Sequence, residues 1–236
     1  MSRQKTPRLK DLFVEQMQEK ILSGQLEIGQ KLPTEREISK EMGVSRQVVN
    51  SGMAELVRQG FLKVVPRHGS YVADYRTEGN MNTLNAIMEY EGDSIREEEI
   101  RSILEIRWAI DSLILKTVIK KAGRSDLDRL EEMVEKISES ETSRQAAEAM
   151  FDFEYEMALL SRNTVLSLIC VSFKPIVTML WTRFTAMYGS ELLYNNAKTT
   201  LSYIKSRDEE GAKKWLDRFM GEVTYGKHQI YNRKTA

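Results

Sequence analysis

Two arginines near the start of the chain have the chemistry to recognise a polyanion. Arg36 and Arg46 each stand close to the start of a short stretch with helical periodicity, and Ser45 precedes the second of them. A guanidinium group is a planar fork of donors that matches phosphate oxygens and also the O6 and N7 atoms of guanine. Gln47 and Asn50 follow on the same stretch, and an asparagine amide can pair with adenine N6 and N7. These residue types indicate nucleic-acid recognition.

The residues around these side chains predict a helix, a sharp turn and a second helix. Thr34 can cap the first helix through its hydroxyl, and Glu37 can complete a capping box three residues later. Gly43 lies where the first helix must stop and reverse direction. Ser45 can cap the second helix. The second helix of a helix-turn-helix presents its N-terminal side chains to base edges in the major groove, so Arg46 is expected there.

The stretch after the second helix predicts a β-hairpin with a basic tip. Two short β-prone runs in residues 61–73 flank the tip sequence Pro66-Arg-His-Gly69. An amphipathic helix is predicted before the helix-turn-helix, at residues 8–23. We therefore predict a winged helix-turn-helix DNA-binding domain over residues 1–75, followed by a linker at residues 74–79.

The rest of the chain, residues 80–236, predicts an all-helical domain. Its apolar residues recur with helical periodicity, and the last helix is expected to span residues 208–233. Pro175 falls inside a segment over residues 164–188 and is expected to kink it. The fold class is thus mainly α, with an N-terminal winged helix-turn-helix and a C-terminal helical bundle large enough to hold a cavity.

Composition and charge indicate a globular protein with a basic head. Of its 236 residues 41% are hydrophobic and 30% charged, and no apolar run approaches the ~18 residues that span a bilayer. Residues 1–76 carry 13 Lys and Arg against 9 Asp and Glu, and the remainder carries 22 against 26. Cys170 is the single cysteine, which excludes an intramolecular disulfide. We expect a cytoplasmic protein without membrane attachment, whose head suits a polyanion partner.

Catalytic motifs are missing from the sequence. No Ser/His/Asp arrangement, glycine-rich phosphate loop, CxxC or HExxH occurs. The carboxylates of Glu97-Glu-Glu99 are interpreted as the solvated start of a helix, where the helix dipole favours them. We predict that the protein is not an enzyme and has no catalytic residues.

The N-terminal motifs resemble those of the GntR family of bacterial transcription factors. The resemblance is carried by the spacing of Leu32-Pro-Thr-Glu-Arg-Glu37, Ser45-Arg46, Gly60-Phe-Leu62 and His68-Gly-Ser-Tyr-Val72. The helical half resembles the FadR branch of that family. Membership implies a homodimer that binds a palindromic double-stranded DNA operator, and a helical domain that binds a small-molecule effector and contributes to dimerisation.

The family resemblance assigns DNA contacts position by position. Arg36 matches an arginine that contacts phosphate and guanine, and Ser45 and Arg46 match the pair that caps and opens the recognition helix. His68 and Gly69 match a wing tip that reaches into the minor groove. These roles are expectations that the resemblance implies.

The sequence departs from the family's usual pattern at the DNA-reading positions Gln47 and Asn50. Asn50 stands where a second arginine usually reads a guanine. Because asparagine prefers adenine, we expect an operator that differs from the family's usual core at that position.

The FCD subgroup of this branch holds a divalent metal with one Asp and three His, and this chain lacks that set. It has two histidines, of which His68 lies in the wing. Met150 stands at the position of the aspartate ligand and Glu154 at that of the first histidine. We therefore expect no metal and no resident cofactor.

The effector implied by the closest resemblance within the branch is a long-chain acyl-CoA. The matching positions are Arg107, Trp181, Gly221, Thr224 and His228. Methionines in the bundle would suit an acyl chain of variable length. The alternative is a metal-free regulator that responds to a small carboxylate or a sugar acid.

Overall fold

A computed structural model describes residues 8–231, in which an N-terminal unit contains four helices and a two-stranded hairpin. Strands β1 and β2 are antiparallel, with Leu62 opposite Val72 and Val65 opposite Gly69. An isolated bridge joins Lys31 to Tyr71 beside the hairpin. The elements of this unit are α1 (Leu9–Leu22), α2 (Glu35–Met42), α3 (Arg46–Arg58), β1 (Leu62–Val65), β2 (Gly69–Val72) and α4 (Met81–Glu91).

The caps predicted for the helix-turn-helix are confirmed. The Thr34 hydroxyl accepts a hydrogen bond from Glu37 N at 3.3 Å, and the Glu37 carboxylate accepts from Thr34 N at 2.8 Å. Gly43 ends α2 with a φ of 65°, a left-handed conformation that glycine adopts at little cost. Ser45 Oγ accepts from Val48 N at 3.3 Å and starts α3. Local sequence therefore fixes both ends of the turn that orients α3.

One apolar core holds α3 against α1 and the hairpin. Phe13, Val49, Leu56 and Phe61 are each 1% exposed or less. Helices α1 and α3 are in tight contact at Gly52, where a Cβ would lie 2.1 Å from the Phe13 ring. A larger residue at Gly52 would push α1 away, so this glycine allows the recognition helix to pack closely against α1.

The N-terminal unit extends through α4, to Gly92, and the second unit begins at Asp93. The sequence had instead placed the start of the helical domain at residue 80. The Thr83 hydroxyl donates to the Gln59 carbonyl at 2.6 Å, which ties α4 to the end of α3. Ala86 of α4 is buried with the N-terminal core.

The second unit is an all-helical bundle, and the mainly α fold class is confirmed. Helix α7 packs against α5, α6 and α9, so it lies at the centre of this unit. Its helices are α5 (Glu97–Lys121), α6 (Arg124–Ser138), α7 (Ser143–Leu160), α8 (Thr164–Ser172), α9 (Lys174–Tyr188), α10 (Glu191–Ser206) and α11 (Glu209–Thr224).

The segment predicted as one kinked helix over residues 164–188 is two helices. Helix α8 ends at Ser172 and α9 begins at Lys174, with a bend of 59° between them. Pro175 occupies the first turn of α9, where its missing N–H leaves no hydrogen bond unmade. Among residues 8–231 no single helix is long and apolar enough to span a bilayer. The bent pair α8–α9 reaches that length and composition only when taken together.

The last helix ends earlier than the sequence predicted, at Thr224 rather than at residue 233. Residues 225–231, which we term the tail segment, turn back onto the bundle. The Tyr188 hydroxyl donates to the Gln229 carbonyl at 2.8 Å, and the Tyr231 hydroxyl donates to the Thr224 carbonyl at 2.6 Å. Burial of Ile230 and Tyr231 stabilises this turn over continuation of the helix. Residues 232 and 233 of the predicted helix lie outside the described residues.

Candidate DNA interface and effector site

The start of α3 and the neighbouring turn of α2 present an exposed polar surface. Arg46 is the first residue of α3, Gln47 follows it, and Arg36 lies in the first turn of α2; all three are exposed. The Ser45 hydroxyl accepts its capping bond from Val48 N at 3.3 Å. Two exposed guanidinium groups are therefore presented by the first turns of α2 and α3, and a helix-turn-helix meets base edges at the start of its second helix.

A groove of about 590 Å³ separates this surface from the wing, and basic side chains line both of its walls. His68 and Gly69 of the wing tip border it, so the sequence-predicted wing residues lie across the groove from the predicted base readers. The groove also includes two cations that sequence reasoning did not select. Its basic side chains are Lys31, Arg36, Arg46, Arg67 and His68, and the carboxylate of Glu35 also lines it.

Arg67 has a backbone conformation that L residues rarely adopt. Its φ is 66°, and His68 N donates to the Val65 carbonyl at 3.0 Å across the turn. A non-glycine residue in this region costs on the order of 1–2 kcal/mol. The turn thereby holds the Arg67 guanidinium beside the groove, and the basic tip noted in the sequence was the signal that could have identified it.

The Asn50 side chain forms hydrogen bonds with neighbouring groups of the protein. With its nitrogen facing acceptors, the amide donates to Glu35 Oε2 at 2.7 Å and to the Arg46 carbonyl at 2.9 Å. The side chain remains exposed on α3. Asn50 must exchange these two bonds for bonds to a base if it reads the operator.

The interior of the helical unit contains a buried ion-pair cluster around Arg107. Its guanidinium donates to Glu154 Oε2 at 2.7 Å and to Asp111 Oδ2 at 3.2 Å, and its side chain is only 4% exposed. Burial opposes the charge of Arg107, but the two carboxylates still hold its pKa above the ordinary value. For the two carboxyl groups burial has the opposite effect and raises the pKa. The pKa of Asp111 is raised, and that of Glu154 is raised to about 7, although Arg107 lowers both.

Trp181 joins the same cluster from α9. Its indole N–H donates to Glu154 Oε1 at 3.2 Å, and its ring packs edge-on against Phe184 with centroids 5.7 Å apart. Cys170 lies nearby as a free thiol whose pKa burial raises to about 11. Arg107 and Trp181, both predicted to bind an effector, are therefore brought together by Glu154.

The side chains at this position do not fit a divalent metal. Glu154, at the position of a histidine ligand, instead accepts hydrogen bonds from Arg107 and Trp181, and Met150, at the position of the aspartate ligand, is a buried thioether. Divalent cations that bind to carboxylate and imidazole ligands have little affinity for a thioether, which is a soft donor. In the part of the chain that the structure describes, no three His, Cys, Asp or Glu residues are grouped to hold a metal ion.

The other three predicted effector residues lie apart from this cluster. Gly221 lies on α11, where a Cβ would meet only the Trp108 ring, at 4.0 Å. Thr224 is fully buried, and its hydroxyl has no hydrogen-bond partner among the described residues. His228 was expected on the last helix but lies in the tail segment, where its ring contacts Tyr188 with centroids 5.2 Å apart.

An open cavity of about 300 Å³ lies beside the ion-pair cluster, and of the predicted effector residues only His228 lines it. Its walls come from α9, α10, α11 and the tail segment. The remaining lining residues, which sequence reasoning missed because they come from separate elements, are Phe184, Leu192, Asn195, Asn196, Trp215, Arg218, Phe219, Glu222, Val223 and Lys227.

Comparison with known proteins relates both units to one group of regulators. Residues 11–72 match the model of bacterial regulatory proteins of the gntR family, and residues 102–222 match the FCD domain. HTH-type transcriptional regulator YcbG of Bacillus subtilis is 26% identical over 201 residues, 85% of this chain and 79% of the relative. The fatty acid metabolism regulator protein of Edwardsiella ictaluri is 27% identical over 216 residues, 89% of this chain and 84% of the relative.

A solved structure shows the same fold. It is described in connection with Lar, which controls the expression of the Listeria monocytogenes agr system. The superposition has a TM-score of 0.62 at 18% identity, and it covers 93% of this chain and 96% of that one.

Proposed function

The chain belongs to the gntR family of bacterial regulatory proteins and carries an FCD domain, and we propose that it binds a palindromic operator as a homodimer under the control of a small effector. The comparisons make it a transcriptional regulator and confirm that it is not an enzyme. The operator, the dimer and the effector are the parts that we propose.

The observation that carries the DNA-binding proposal is the groove between α3 and the wing. It places Arg46, on the recognition helix, and Arg67, on the wing, along one concave surface. A recognition helix in the major groove with a wing over the adjacent backbone would use both: Arg46 for a guanine edge and Arg67 for phosphate.

Homodimerisation would supply the second recognition helix. Two such helices spaced about 34 Å apart fit consecutive major grooves on one face of the duplex, which is why a palindrome is expected. Effector control then requires only that the effector bind one of two dimer states more tightly than the other.

Long-chain acyl-CoA is the first effector candidate. The likeness to a fatty acid metabolism regulator supports it, as do the buried methionines Met150, Met157 and Met220, since unbranched thioethers adapt to variable ligands. The acyl chain would have to displace the packed side chains of Trp181 and Phe184, which are buried in the same interior.

A small carboxylic acid is the second candidate, favoured by the cavity beside the cluster. A volume of about 300 Å³ is at the lower end of the range for small-molecule sites, and Arg218, Lys227 and His228 line it. An acid of that size could bind without rearrangement of the Arg107 cluster.

Operator mobility measured with both ligand classes tests the proposal. DNA selected from a random pool should contain inverted half-sites, and the dimer should bind them in preference to scrambled DNA. Either palmitoyl-CoA or small acids should then change the affinity and raise the melting temperature of the helical unit. Failure to select any DNA sequence would contradict the DNA-binding proposal itself.

Replacement of Asn50 by arginine is expected to change the selected operator. Arginine prefers guanine O6 and N7, so one position of each half-site should shift from adenine to guanine, with discrimination of about tenfold or more. Sequencing of the selected DNA measures the shift. Asn50→Ala is the control, since it should relax that position without creating a new preference. An unchanged preference in Asn50→Arg would exclude Asn50 as a base reader.

A further inference from the structure

We propose that the cavity between α9, α10, α11 and the tail segment binds a small aromatic carboxylic acid as effector, with its acid group held by Arg218 and Lys227. This inference rests on the proposed regulatory function and specifies the ligand class of the helical unit. Four features of the cavity support it: its aromatic walls, an unused amide donor, unpaired cations at its mouth, and its size.

Aromatic rings form the inner walls of the cavity. Phe184 and Phe219 stand nearly edge to face with centroids 6.2 Å apart, and Trp215 contributes a third ring. Aromatic rings prefer such offset or edge contacts at separations of about 4.5–7 Å. A flat ring lying in the cavity against these side chains would make further contacts of the same kind. A polar sugar acid would instead place its hydroxyl groups against apolar rings.

Asn196 provides a hydrogen-bond donor inside this aromatic lining. Its side-chain oxygen accepts from Trp215 Nε1 at 3.0 Å, which fixes the amide and directs the nitrogen elsewhere. The residue is 9% exposed, and within residues 8–231 no group accepts from that nitrogen. Because Asn196 lines the cavity, this nitrogen is available to a ligand oxygen, and a carboxylate supplies one.

The mouth of the cavity carries positive charge that the protein leaves uncompensated. Within the described part of the chain, neither Arg218 nor Lys227 has a carboxylate at ion-pair distance, whereas Lys214 on the same helix pairs with Glu210 at 2.6 Å. Glu222 is the one acidic lining residue. Its carboxylate is directed to the tail segment.

The tail-segment contacts of Glu222 are specific. The carboxylate accepts from the Lys227 backbone N–H at 3.1 Å and lies 3.8 Å from His228 Nδ1. The Glu222 carboxylate therefore interacts with the backbone and His228 of the tail segment. The side-chain cations of Arg218 and Lys227 remain available to an anion entering from solvent.

The size of the cavity separates an aromatic acid from the acyl-CoA alternative. About 300 Å³ suits a ligand of one or two rings. A long-chain thioester with its nucleotide head needs much more space. Phe219 also contacts Trp181, with centroids 6.2 Å apart, so a ligand against Phe219 adjoins the side chain that bonds Glu154.

Binding of acids and their neutral amides to the full-length protein tests the proposal. Benzoate and indole-3-acetate are titrated by calorimetry, each beside its amide analogue. The acids should bind about tenfold or more tightly than the amides, because only they pair with the cations. Octanoate, an acid without a ring, should bind less tightly than the aromatic acids.

Arg218→Gln should weaken acid binding by about tenfold while leaving amide binding unchanged. Arg124→Gln is the matched control, since Arg124 is an exposed arginine of the same unit that does not line the cavity. Leu192→Trp, which fills the cavity without changing its charge, should abolish binding of both ligands.

Equal binding of acids and amides, unchanged binding in both Arg218→Gln and Leu192→Trp, or no binding of any aromatic acid would overturn the proposal. Operator binding is measured on the same preparations. If operator binding persists while aromatic acids do not bind, only the ligand assignment fails. If the protein selects no operator, the proposed function fails independently of the cavity.

Discussion

Arg46→Ala is expected to abolish specific operator binding while leaving the fold intact. Arg46 is exposed at the first position of α3, so its removal opens no cavity in the core. A bidentate arginine–guanine pair contributes about 1–3 kcal/mol of discrimination, and a dimer would lose one such pair in each half-site. The affinity for the selected operator should fall by about 10²- to 10⁴-fold. Equilibrium mobility shifts at fixed salt measure this loss.

Arg67→Gln is the control that separates base reading from general attraction to DNA. If Arg67 contacts phosphate, its loss should weaken binding to the operator and to scrambled DNA alike, and should lower the salt dependence by about one ion per subunit. Arg46→Ala should instead bind the operator and scrambled DNA with similar affinities. A uniform loss in Arg46→Ala would make Arg46 another phosphate contact and would leave the operator without its main base reader.

The sequence was sufficient to predict the DNA-reading element because its structure depends on local interactions. Thr34 and Ser45 cap helices within three residues of themselves, and Gly43 is required by a left-handed turn at its own position. Such features can be derived from residue types and short spacings. For the same reason, the placement of Arg46 at the start of α3 followed from the sequence.

The candidate effector site could not be predicted in the same way because it depends on contacts between distant segments. In the sequence, Glu154 was noted only because it stands where the FCD subgroup has a histidine ligand. The structure shows that it pairs with Arg107, 47 residues earlier. The tail segment kept a helical pattern in the sequence, but burial of Ile230 turned it back onto the bundle. Sequence periodicity cannot identify which elements will enclose a cavity.

Arg107→Met is expected to be among the most destabilising single changes in the helical unit. It would leave Glu154 and Asp111 in the interior without their cation, and breaking a buried ion pair in this way costs about 3–5 kcal/mol. The three tryptophans of the chain all lie beyond residue 93, so their fluorescence follows the unfolding of this unit alone. Urea titration at neutral pH should show the midpoint shifted strongly downward.

Arg129→Met is the matched control, because Arg129 also contacts two carboxylates but lies at the surface. It is 3.4 Å from Asp126 and 2.6 Å from Glu156, with its side chain 53% exposed. Exposed pairs contribute about 1 kcal/mol or less, so this variant should remain close to wild type. Equal midpoints for the two variants would show that the Arg107 cluster is hydrated rather than buried.

The double variant Arg107→Met with Glu154→Met tests why the single change is costly. If the cost comes from an uncompensated buried charge, removal of the Glu154 carboxylate should recover part of the stability that Arg107→Met loses. If the cost comes from lost packing, the second change should add to the first. Partial recovery would mean that the cluster is held by mutual compensation of charge, so that a fixed guanidinium fills the role that a metal ion has in the FCD subgroup. A ligand that moves Trp181 would then act on Glu154 directly, since the indole N–H is one of its hydrogen-bond donors.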